Sequence, residues 1–143
     1  MAKWYPTDWL QIPHNGEYGN KSNIIGVYSN GTGIAALDTI DFVKIPAGAT
    51  VVEGFISTTA MTGTSTVCFG IRYADGTSTG GTTGTANLLL GTFTGAQRKT
   101  ALDFTPFTND ADTILYATHV SGPAWAATDR MDMVVNYVAK GTK

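Results

Sequence analysis

Apolar and polar residues alternate with a period of two over several stretches of the chain. The clearest is 66–73, where Val67, Phe69, Ile71 and Tyr73 point one way and Thr66, Cys68, Gly70 and Arg72 the other. That alternation is the pattern of a half-buried β-strand. The same period recurs over 113–120, where Ile114, Tyr116, Thr118 and Val120 share a face, and in Met131, Met133, Val135 and Tyr137. Shorter candidates at 24–28, 39–45, 51–58, 87–93 and 100–107 bring the count to about eight. No stretch carries a convincing amphipathic helical period. The pattern therefore predicts an all-β, single-domain β-sandwich or jelly roll.

Turn chemistry falls between these runs: Pro46-Ala47-Gly48, Thr62-Gly63-Thr64, Asp75-Gly76, Asn109-Asp110 and Gly122-Pro123. One connection differs, since 76–86 reads GTSTGGTTGTA and offers almost nothing to anchor it in a core, which predicts a mobile loop. The first 35 residues crowd Trp4, Tyr5, Trp9 and Tyr18 with two prolines and show little sustained period. They read as an irregular, aromatic-rich N-terminal arm with a short strand, followed by a sandwich domain over 36–143. Rings at that density either fold back on the sandwich or dock onto a neighbouring protein, where large aromatics supply much of the contact energy.

Composition narrows the function. The chain has 143 residues, enough for one domain with its own core. Thr and Gly are its commonest residues, which suits strands and tight turns. Charged residues make up 14%, against roughly 25% in an average globular protein, and the formal charge is −2. Such a chain lacks the basic footprint of a nucleic-acid binder. It shows neither a signal-peptide pattern nor an apolar run of membrane-spanning length, so no membrane association is expected. Cys68 is the single cysteine, which rules out an intrachain disulfide and a Cys-rich metal site.

Candidate chemistry is sparse. Cys68 and His119 both fall opposite the apolar stripes of their strands and are the one nucleophile–base pair available, but a lone strand cysteine usually acts as a small hydrophobe. Asp110 and Asp112 flank a turn without the graded oxygen ligands of a calcium loop. Glu17, Asp38, Asp41 and Glu53 form no recognisable glycosidase pair. Asp129, Arg130 and Asp132 open the last strand, where they would either ion-pair at an interface or, the favoured reading, protect a sheet edge from aggregation. No catalytic residue, metal ligand or cofactor site is assigned, and the expected activity is binding rather than catalysis.

From 42 to 73 the text reads FVKIPAGATVVEGFISTTAMTGTSTVCFGIRY. A strand ending in Pro-Ala-Gly, a Val-rich strand, a Thr/Gly turn and an alternating strand resemble a pattern of small structural proteins of tailed bacteriophages. The sequence is similar to their capsid decoration, or cement, proteins. That resemblance implies a noncatalytic virion protein that sits on the outer capsid surface after a period in the host cytoplasm. Its partners would be the major capsid protein, whose subunits it bridges, and copies of itself in a dimer or trimer. The residues read here as capsid- or subunit-contact candidates are Trp4, Tyr5, Trp9 and Tyr18 in the arm, and Trp125 in the apolar 123–125 loop, which reads equally as an exposed anchor or a core plug. A receptor- or carbohydrate-binding β-sandwich module of a phage tail or cell surface is the alternative, with Trp4, Trp9 or Trp125 stacking on a sugar ring.

Overall fold

The computed structural model describes residues 3–4, 21–29, 33–59, 65–76, 90–94 and 98–139. Among these residues the chain forms strands and no helix, as the period-two alternation predicts. The strands are β1 (Lys3–Trp4), β2 (Lys21–Ser29), β3 (Thr39–Ile45), β4 (Ala49–Thr58), β5 (Thr66–Tyr73), β6 (Leu90–Thr94), β7 (Arg98–Ala101), β8 (Phe107–Thr108), β9 (Thr113–Ser121) and β10 (Arg130–Ala139). Leaving aside the two-residue β1 and β8, eight strands remain.

They lie in two sheets. The first has the order β1-β3-β9-β5-β6, and the second β2-β10-β4-β7 with β8 added on β4. The eight longer strands pair antiparallel from the outside of the sequence inward: β2 with β10, β3 with β9, β4 with β7, and β5 with β6. Two further antiparallel contacts, β10 with β4 and β9 with β5, complete the sheets. This is a long antiparallel ribbon wrapped into two layers, the jelly-roll arrangement. The short β1 adds to β3 in parallel.

The core between the sheets is built from the predicted alternation. Val67, Phe69 and Ile71 point inward from β5, and Met131, Met133, Val135 and Tyr137 from β10. On β9 the inward face is the opposite of the apolar stripe read from the sequence. Leu115, Ala117 and His119 are buried in the core, whereas Tyr116, Thr118 and Val120 face outward. The register forces this, because β5 places Val67 opposite His119 and Phe69 opposite Ala117. One strand cannot turn its own apolar stripe inward when its partner's register sets the other face toward the core.

The ladders shift register at four places among the described residues, and two of these bulges shape the layers. Phe42 is an extra residue between Asp41 and Val43 in the β3–β9 ladder, and Val52 plays the same part in β4 opposite β10. A bulge bends its strand and re-aims the residues around it. At the Phe42 bulge β3 crosses Gly26 of β2 so closely that a Cβ there would lie 2.5 Å from the Phe42 carbonyl oxygen. Glycine at this position lets the two sheets approach along the β2–β3 side.

Other expectations need correction. The run 100–107 is not one strand: β7 ends at Ala101 and β8 starts at Phe107, with only the Leu102 N–H bonded to Gly54 between them. Pro106 lies in this gap and has no N–H to offer a ladder. Nor is β10 a sheet edge, since β2 and β4 flank it. Arg130 and Asp132 instead pair with each other on its outer face, and the buried Asp129 accepts the Ala126 N–H at 2.8 Å to close the preceding turn. The 46–48, 75–76 and 122–123 turns form with Gly48, Gly76 and Gly122 at positive φ. Most of the glycine-rich 76–86 segment, the 62–64 turn and most of the N-terminal 20 residues lie outside the described residues.

Candidate interaction surface

Each of three neighbouring strands in the second sheet carries an apolar doublet: Ile24-Ile25 on β2, Val134-Val135 on β10 and Phe55-Ile56 on β4. In a strand only one member of a doublet can face the core. Ile24, Val135 and Ile56 do so. Their partners Ile25, Val134 and Phe55 lie on the outer face, and the registers bring them into one row that ends at Ala101 of β7. Ile25 is 56% exposed and Val27, one pair further along β2, is 36% exposed.

Polar residues border this row on both sides except at the apolar Val27 of β2. On one side the Asn23 side-chain amide donates to Asn136 Oδ1 at 2.9 Å, and Asn136 Nδ2 donates in turn to Glu53 Oε1 at 2.9 Å. Lys21 closes the ladder with an ion pair to Glu53. These donors, Lys21 first and then Asn136, hold the Glu53 carboxyl below the usual carboxylate range. On the other side Asp132, Ser57 and Lys99 follow in register. The Lys99 ammonium sits 3.8 Å from the centroid of the Phe55 ring, a cation–π contact that covers part of the apolar row. Glu53, Phe55, Lys99, Ala101 and Asn136 line a shallow open depression here.

The contact candidates read from the sequence fall elsewhere. The backbone of Trp4 pairs with Ile40 at the edge of the first sheet. Tyr5, Trp9 and Tyr18 lie outside the described residues. Trp125, expected in an exposed loop, is instead 1% exposed and belongs to the core. Its backbone N–H bonds to the Ile34 carbonyl at 3.1 Å, and its ring meets Tyr28 edge-on at 6.3 Å and His119 at 5.1 Å. The loop folds inward because only the core offers so large a ring enough contact area. This removes Trp125 from any sugar-stacking platform.

Cys68 and His119 do not meet. Cys68 pairs with Thr118 on the outer face of the first sheet, and His119 pairs with Val67 on the inner one. Burial pushes the Cys68 thiol up in pKa, so it stays protonated and unreactive at neutral pH. His119 is held by a contact of 3.1 Å between Nε2 and the Ser121 carbonyl. Beside it, burial and then the Asp38 charge keep the Tyr28 phenol protonated far above its ordinary range. Among the described residues no group of three or more His, Cys, Asp or Glu side chains is placed to hold a metal ion.

The fold has counterparts among solved structures. A chain in the capsid of Ralstonia phage GP4 superposes with a TM-score of 0.76 at 18% identity, covering 99% of this chain and 100% of that one. A chain in the capsid asymmetric unit of cyanophage Pam1 gives 0.57 at 21% identity, over 90% and 91% of the two chains. A chain in the acid-stable capsid of Helicobacter pylori bacteriophage KHP30 gives 0.58 at 15% identity, over 87% and 92%. No protein-family model matches the sequence, and no curated protein does. At these identities what the likeness shows is a shared fold: this chain has, nearly end to end, the jelly-roll architecture found in chains of phage capsids.

Proposed function

We propose that this protein is a noncatalytic virion component that decorates a phage capsid and stabilises it by bridging neighbouring shell subunits. One observation carries the reading: the fold matches a whole chain of a phage capsid, with 99% of this chain and 100% of that one in the superposition. The counterpart is thus a chain of similar length, matched from end to end. The Pam1 and KHP30 matches are also nearly end to end. The separation of Cys68 from His119 on opposite sheet faces supports a role without nucleophilic catalysis.

A decorating protein works by mass action. Binding the assembled shell more tightly than its precursors or fragments stabilises that state by the difference in binding free energy. The requirements are a rigid scaffold and contact patches repeated by symmetry, so that many weak contacts act together. The two-layer core supplies the scaffold. The arm residues Trp4, Tyr5, Trp9 and Tyr18 supply the capsid-facing contact in this reading, because aromatic side chains dominate the energetics of protein interfaces. The site of attachment is the outer shell surface, reached from the host cytoplasm.

The test is cosedimentation of the purified protein with shells that lack it. The protein is expected to pellet with mature shells, and replacing both Trp4 and Trp9 with Ala should weaken that attachment at least tenfold. The thermal midpoint of the free variant should stay nearly unchanged, as for substitutions away from a core. No pelleting of the unaltered protein with any shell would overturn the reading. An equal loss of stability in the variant would move the two rings into the core and the contact elsewhere.

A further inference from the structure

We propose that the outer face of the β2-β10-β4-β7 sheet is a self-association surface, on which a second copy of this chain docks about a two-fold axis running along the Ile25, Val134, Phe55, Ala101 row. The inference rests on the geometry of that face and stands whether or not the chain decorates a capsid.

A two-fold axis along the row maps each residue of the row onto itself. Ile25 then meets Ile25 of the second copy, Val134 meets Val134 and Phe55 meets Phe55, and the apolar area buried comes chiefly from Ile25, since Val134 is only 9% exposed in the protomer. The same rotation exchanges the two polar borders. Asp132 and Asn136 flank Val134 by two residues on either side, so the Asp132 carboxylate faces the amide of Asn136 in the second copy. Ser57 and Glu53 flank Phe55 in the same way, which sets a hydroxyl donor against a carboxylate.

On β7, Lys99 precedes Ala101 by two residues and Asp103 follows it by two. The Leu102 N–H still bonds to the Gly54 carbonyl at 2.9 Å, so the chain keeps its path alongside β4 up to Asp103. Lys99 and Asp103 are both exposed. The rotation sets each Lys99 position against the Asp103 of the other copy, so on docking its ammonium leaves the Phe55 ring, where it sits 3.8 Å from the centroid in the single chain, to pair with that carboxylate. Of the four flanking pairs, those on β10, β4 and β7 bring no like charges together, and the one on β2 sets Asn23 against the apolar Val27.

The face is small for a stable interface. Four strands at about 4.8 Å spacing and three rows at about 6.8 Å cover roughly 400 Å². A stable complex buries about 800 Å² on each partner. The pair is therefore a weak dimer, populated only at high concentration of the chain. Such a contact is populated where copies are held close together, as effective concentration replaces intrinsic affinity.

Analytical ultracentrifugation of the full chain tests this, using the unaltered protein and three variants. The unaltered protein should shift from monomer toward dimer as its concentration rises to about 1 mM. Ile25→Lys places two ammonium groups face to face on the axis and should weaken the dimer at least tenfold. Lys99→Glu and Asp103→Lys should each weaken it when alone, since each sets like charges against one another twice. Mixing these last two variants restores both opposite-charge pairs in the heterodimer and should recover association to within a few-fold of the unaltered protein. Far-ultraviolet circular dichroism and thermal midpoints confirm that every variant is folded. A strictly monomeric unaltered protein at 1 mM, an oligomer indifferent to Ile25→Lys, or a mixture that associates no better than its separate components would each overturn the proposal.

Discussion

The outward faces of the two sheets have similar ingredients and opposite fates. On the β3-β9-β5 side, Asp41 is 1% exposed, Ile114 4% and Cys68 8%, although all three point away from the core between the sheets. On the β2-β10-β4 side, the outward Ile25 of the edge strand β2 keeps 56% of its surface, while Val134 on the central β10 keeps 9%. Each face also carries an Arg–Asp ion pair. Arg72 binds the buried Asp41 and packs its guanidinium 5.5 Å from the Tyr116 ring centroid. Arg130 binds Asp132 at 2.9 Å with more than half of its side chain in solvent. The first face is largely enclosed within the protomer apart from Val120, which is 39% exposed near the end of β9, and the second is open mainly along β2, at Ile25 and Val27. An outward-pointing strand residue is therefore not the same thing as a surface residue, and the open sheet is the one available to a partner.

The largest expected effect comes from breaking the two ion pairs separately. Arg72→Ala leaves the Asp41 carboxylate inside the protein without its cation and should cost about 2–4 kcal/mol of folding stability, because removing one partner of a buried pair strands the other's charge. Arg130→Ala should cost less than about 1 kcal/mol, as exposed pairs do. Urea unfolding of the two variants measures the difference directly. Equal losses would erase the contrast between the faces.

Thiol labelling sharpens the comparison without perturbing stability much. Cys68 should react with an alkylating reagent at least 100-fold more slowly than a free thiol in the native protein, and at the free rate in denaturant, because its thiol is both enclosed and protonated. An Ile25→Cys variant in a Cys68→Ser background should react at close to the free rate in the native protein. Comparable native rates at the two positions would mean that the first face opens readily or that the second is covered.

Much of the fold was legible in the sequence, for a physical reason. Val67, Phe69 and Ile71, and Met131, Met133, Val135 and Tyr137, alternate cleanly because each strand has one face in a single core. The alternation fails as a guide where apolar residues occupy both faces. The Ile114-Leu115 doublet of β9 gives no preference between two faces, and the register with β5 decided it. The doublets Ile24-Ile25, Phe55-Ile56 and Val134-Val135 were the available signal for an apolar outer row, yet their alignment depends on pairing between strands far apart in sequence. Trp125 shows the converse limit. A tryptophan between Ala124 and Ala126 reads equally as a surface anchor or a core plug, and only the packing against Tyr28 and His119 distinguishes them. Gly26 gave no warning at all, because what it permits is the approach of the Phe42 bulge from another sheet.

The most direct test of the virion reading is the copy number of this protein in purified particles, measured by quantitative mass spectrometry against the major shell protein. A decorating protein scales with the shell, so a ratio within a small factor of one is expected. A ratio near that of components present at a few symmetric positions, or absence from the particle, would contradict the account.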